Sequence, residues 1–195
     1  AGEWGFYTAY KCRAANFNPF TGSHIAYTQD TSLQVGQLVY SIDAWTVDVS
    51  QTLVHVAKTA TPQDKRVFGV VNHIKHTLMD NIEKDIALCN KAINEETGEE
   101  VFTIKPEYLP YVQYMQDNDF VEVSVNALGE GGMLVCSENG DIENGDYLTS
   151  ANLAGYAMKQ DDDVLHSYTV AKALESVIWA NEKERTKMIA CTYHC

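Results

Sequence analysis

Ser23 and His24, adjacent in the string "NPFTGSHIAY", are the pair best placed for chemistry in this chain. A serine beside a base is the minimum for an activated nucleophile, and Gly22 before them can expose the hydroxyl on a tight turn. Neighbouring residues on a strand point to opposite faces, however. The same two residues therefore also read as a turn serine and a packing or hydrogen-bonding histidine. The other histidines, His55, His73, His76, His166 and His194, are scattered. There is no GxSxG, HExxH, GxGxxG or P-loop lysine motif.

Two segments have metal-like composition. The terminal "CTYHC" places Cys191, His194 and Cys195 within one turn's reach in sequence, but a tetrahedral site needs a further ligand and no CxxC pair supplies it. The acidic stretch "ENGDIENGDYLTSANLAGYAMKQDDD" fails the spacing of a helix-flanked calcium loop. Counting from Asp141 through Glu143, Gly145 arrives one place early, and strands flank it instead of helices. Asp161 to Asp163 read as a solvated strand end. The expectation is no metal and no cofactor, with buried or incidental thiols.

The elements that carry these residues are mostly strands. Short runs rich in Val, Ile, Thr and Tyr recur at close spacing: "HIAYTQ", "LVYSID", "TVDVSQTLVHVA", "RVFGVV", "EVFTIK", "FVEVSVNAL", "GMLVCSE", "DYLTSA", "YAMKQ", "SYTVAKAL" and "KMIACTYHC". Alternation slips near Gln51 inside the third of these. The pattern predicts a mainly β, single-domain β-barrel or sandwich. One segment departs from it: Leu78, Ile82, Ile86, Cys89 and Ile93 fall three or four apart, which predicts an inserted α-helix over about 77–94, capped at Thr77 and Asp80 and stopped at Gly98. A second helix is expected near 106–115, with Pro110 limiting its length. The organisation expected is an N-terminal aromatic segment over 1–19 and a β-rich domain over 20–195, with a helical insertion at about 72–118.

A faint internal repeat relates "LQVGQLVYS" (33–41) to "IENGDYLTS" (142–150). Each is followed downstream by an apolar strand holding a small residue, "RVFGVV" and "YTVAKAL". Gly36 and Gly145 would let the chain turn with positive φ before a strand, and Gly140 and Gly155 read as further structural turns.

Composition narrows the function. The 195 residues are 45% hydrophobic and 21% charged, which suits one well-filled core or two small ones. The formal net charge is -13, and no basic patch offsets it, which argues against nucleic acid. The longest apolar runs fall far short of a membrane helix, so no membrane insertion is expected. "AGEWGFYTAYKC" does not read as a secretory signal, and the absence of an initiator Met fits a processed product or an excised piece. Five cysteines without a regular framework favour synthesis in a reducing cytoplasm. Eleven tyrosines, six phenylalanines and three tryptophans fit either an interface or an aromatic core.

The strings "FTGSH", "LQVGQLVYSID", "KRVFGVV", "VSVNALGEGGMLVCSENGDIENGDYLTSANLAGYAMKQDDD" and "SYTVAKALE", in that order, resemble the C-terminal domains of bacteriophage tail fibre, tailspike and neck-appendage proteins, the peptidase G2-like, intramolecular-chaperone type. The resemblance spans about Phe20 to Glu175 apart from the helical stretch after Val71. It implies a structural or assembly role in a phage particle: a homotrimer at a fibre end, assembled in the host cytoplasm, in contact with other virion proteins and with a host surface receptor or glycan. It also implies two alternatives. One is a self-cleaving chaperone domain in which Ser23 and His24 match the early G-S-H feature and Asp30 is a carboxylate partner, although the "GADYAE"-like element of typical members is absent. The other is a capsid decoration protein, which shares short strands, "GD" turns and trimerisation.

Overall fold

The computed structural model describes residues 22–48, 51–75 and 89–194. Strands make up 51% of the structure and helix 8%, so the mainly β architecture expected from the periodicity is what the chain adopts. In chain order the strands are β1 (Gly22–Thr28), β2 (Leu38–Asp48), β3 (Gln51–Lys58), β4 (Val67–Lys75), β5 (Cys89–Ile93), β6 (Glu100–Ile104), β7 (Val121–Cys136), β8 (Tyr147–Ser150), β9 (Ala157–Lys159), β10 (Ala171–Ala173) and β11 (Thr186–His194). Helix α1 spans Leu109–Asp117, and a 3-10 turn covers Trp179–Asn181.

Nine of these strands form one sheet that closes on itself twice. The first ring runs β1-β3-β2-β4-β7 and back to β1, a five-stranded barrel. The second runs β7-β9-β8-β10-β11 and back to β7. Their connectivity is the same, strand for strand. In each ring the first and third strands pair in parallel, Tyr27↔His55 and Val135↔Ala157, and every other pairing is antiparallel. The sixteen-residue β7 is the last strand of one ring and the first of the next.

Hydrogen bonds confirm the duplication at the level of atoms. The Gln37 side chain accepts from the Gln34 amide at 2.9 Å, and Asp146 accepts from the Glu143 amide at 2.7 Å. Gly36 N donates to Val71 O at 2.8 Å and Gly145 N to Ala173 O at 2.9 Å. The faint sequence repeat therefore marks the same turn in each barrel, entering β2 in the first and β8 in the second. Gly36 holds φ +89 and Gly145 φ +103, backbone that a side chain disfavours. Gly140 and Gly155 lie in turns with positive φ as well.

Each ring has its own apolar interior. Ala26, Val39, Val56, Val71, Val123 and Val125 fill the first, where small β-branched residues suit a narrow barrel. Met133, Leu148, Ala171, Ile189 and Cys191 lie in the second, and Leu38 and Val70 from the first ring join that cluster, so the barrels pack on one another. A fully buried side chain such as Leu38 contributes roughly 1.5–3 kcal/mol.

The expected insertion lies between β4 and β7, with a different content from that expected. Residues 77–88 of the predicted 77–94 helix fall outside the described residues. Its end, Cys89–Ile93, is instead a strand paired antiparallel with β6, Cys89 opposite Ile104. Only Cys89 of that strand is buried, so the apolar spacing that resembled a helix stripe breaks at Ile93, which is exposed. The helix α1 forms where the second was expected. Pro110 occupies its first turn, where a missing N–H costs nothing, and Val112 and Met115 are its buried face. That face packs with Tyr27, Leu53, Tyr108 and Phe120 in a third cluster.

Candidate functional site

Where the inserted α1 meets the first barrel, a cavity of about 510 Å³ opens between β1, β2, β3 and the helix. His55 of β3 lines it, 7% exposed, directly opposite Asp43 of β2 in the antiparallel register. Phe120 lies against the imidazole with ring centroids 4.6 Å apart, and Trp45 meets it edge-on at 4.2 Å. Tyr114, projecting from α1 and 48% exposed, packs on Trp45 at 5.1 Å and forms part of the cavity wall. His55 Nε2 is buried and has no hydrogen-bond partner among the described residues. Burial pushes the imidazole below its usual pKa, with the carboxylate of Asp43 pulling the other way. His55 is thus held among aromatic faces.

The two carboxylates of the cavity differ in how they are engaged. Asp30 accepts from the Ser32 amide at 2.9 Å and its hydroxyl at 2.6 Å, and pairs with Lys58 at 3.5 Å. Burial opposes these contacts, but they hold Asp30 below the usual carboxylate range. Asp43 accepts from the Ala44 amide at 2.8 Å, and among the described residues no cation pairs with it. Gln29 reaches across the mouth, its Nε2 donating to the Asn118 carbonyl at 2.8 Å.

The structure places the Ser23-His24 pair of the sequence on β1. Both are exposed on β1, and Ser23 Oγ shares a hydrogen bond of 2.8 Å with Ser124 Oγ of β7. The His24 ring packs against Phe68 at 5.9 Å. Asp30 spends its oxygens on Ser32 and Lys58, as above. Among the described residues these three do not form a relay.

A second cavity, about 340 Å³, lies where the two rings meet, lined by Leu128, Leu165, His166, Ser167 and His194 among others. His166 Nε2 sits 3.1 Å from both oxygens of Asp162, and its ring stacks on Tyr168 at 4.6 Å. Hydrogen bonding from His166 is the main reason the Asp162 carboxyl lies below its ordinary range. Nothing in the residue order signals this couple, because Asp162 is one acid in a run. In the same run Asp161 accepts from Gln63 at 3.2 Å and Asn139 at 2.6 Å.

The carboxylates of the preceding loop are likewise structural. Asp141 accepts from the Trp179 amide at 2.8 Å, and Asp146 pairs with Lys159 at 2.8 Å. Cys191 is buried with its thiol 3.5 Å from the Gly131 carbonyl, while His194 is exposed. Cys195 lies outside the described residues. Among the described residues no group of three or more His, Cys, Asp or Glu is placed to hold a metal. No family model, no curated protein and no solved structure matches this chain.

Proposed function

We propose that this chain is the C-terminal domain of a phage tail fibre or related virion protein, working in assembly and attachment and catalysing no reaction. The observation that carries this is the serial build: two barrels of identical connectivity strung on one continuous strand, β7, which spans roughly 50 Å at the usual rise per residue. Such repetition extends a molecule along one axis and keeps each unit in register with the last.

The second ring's surface supports self-association. Leu174 and Met188 are 43% and 47% exposed, and they flank a shallow depression of about 450 Å³ floored by Gly131, Gly132 and Ala190. Exposed apolar groups around a small-residue floor suit the side chains of a second copy. A trimer with the chain's acidity on its outer faces stays soluble.

The reading frame upstream of Ala1 tests the placement on the particle. A long, repetitive β-fibre sequence in the same frame is the expected result. A free-standing gene beside a capsid protein would overturn the fibre assignment in favour of a decoration protein. Self-cleavage has its own test: a longer precursor carrying Ser23→Ala, run on a gel beside the unaltered precursor, gives an unchanged pattern if the domain is not an autoprotease.

A further inference from the structure

We propose that the cavity between α1 and the first barrel is a binding site for an alkylammonium cation, held by the Tyr114, Phe120 and His55 rings and by the carboxylate of Asp43. Three independent features point to this chemistry. The wall is aromatic on several sides, and ring faces attract ammonium groups through their quadrupoles. The charged groups lining the cavity are Asp30 and Asp43, both acceptors, and Asp43 has no cationic partner among the described residues. The third is His55, a side chain more than nine-tenths buried that lines the cavity and whose Nε2 has no hydrogen-bond partner among the described residues. An aromatic ring at a cavity wall offers a cation its π face.

The location reinforces the assignment. Both barrels share one connectivity, yet only the first carries the β5-β6-α1 insertion that supplies Tyr114 and precedes Phe120. In the second ring the equivalent link, between β10 and β11, carries a single bridge residue, Val177, and a 3-10 turn. The aromatic wall is thus an addition to a scaffold that closes without it. A net charge of -13 raises the local concentration of cations and repels acidic ligands from the same mouth.

Isothermal titration calorimetry of the full chain with choline chloride and with n-butylammonium chloride tests the site, at ionic strength matched with sodium chloride. Saturable binding of at least one cation is expected, with the neutral isostere 3,3-dimethyl-1-butanol about tenfold weaker than choline or worse. Asp43→Asn weakens the cation by about tenfold at an unchanged urea midpoint, since its side chain is exposed, and Tyr114→Ala weakens it by a similar factor. No saturable binding of either cation overturns the proposal. So does equal binding of the neutral alcohol, or binding of a neutral hexose in place of the cations; these need no variant and are independent of how the substituted chains fold.

Discussion

His55 combines burial, an acid neighbour and two ring contacts, and its protonation is linked to folding. Burial lowers its pKa from the ordinary 6.5, and Asp43 only partly offsets this. The unfolded chain therefore binds a proton more readily than the folded one. The stability this residue provides is complete above about pH 6.5 and is lost as pH falls below that value toward the folded pKa. Urea midpoints at pH 7.5 and 5.5 should differ, and the difference should shrink in His55→Phe; an undiminished difference would place the acid sensitivity elsewhere. Trp179 is a residue of the opposite kind, with its indole donating to the Gly140 carbonyl at 2.8 Å and its amide to Asp141 at 2.8 Å. Trp179→Phe removes the indole bond and should cost about 1 kcal/mol or more, read from denaturant unfolding. Cys89, Cys136 and Cys191 are buried thiols, and burial pushes Cys136 upward. In a chain carrying Cys12→Ser and Cys195→Ser, iodoacetamide should leave them unmodified until the protein unfolds. None of these roles was legible from residue type alone. Asp141 and Asp162 looked like members of acidic runs, and only the fold shows that Trp179 and His166 are what they meet.

At the scale of elements, glycine placement decides where strands bend and where they touch. Gly69 in β4 has φ +154, and a Cβ there would collide with the Asn126 carbonyl of β7. Gly69→Ala should therefore cost on the order of 3 kcal/mol, measurable as a lower urea midpoint, since both the backbone angle and the contact oppose it. The strand content was readable in the sequence, and its divisions were partly misleading. "TVDVSQTLVHVA" spans two strands, because Asp48 pairs with Gln51 across a reversal, and that reversal is the slip in alternation. Conversely "FVEVSVNAL" and "GMLVCSE" lie in one strand across a glycine-rich stretch that reads as a break. Gly131 is required there because Tyr193 covers it and donates to the Gly132 carbonyl at 2.8 Å. Of the apolar spacing read as a helix over 77–94, the described end, Cys89–Ile93, is a hairpin strand with only Cys89 buried, and the positions before it lie outside the described residues.

For the whole molecule the duplication organises everything else. The weak match of 33–41 to 142–150 survived in the sequence because the turn needs its glycine and its side-chain acceptor, whereas the strands between could change any residue that kept the barrel filled. The aromatic cavity had no such signal, since His55, Asp43, Tyr114 and Phe120 come together only after closure of the barrel and docking of the insertion. A fibre-end role requires the chain to associate in threes through a surface such as that of Leu174 and Met188. Sedimentation equilibrium of the full chain measures this directly. The expected mass is three times 21.8 kDa, falling to that of one chain when Leu174→Glu and Met188→Glu are combined. A chain that sediments at 21.8 kDa at all concentrations would contradict the proposed role in fibre assembly.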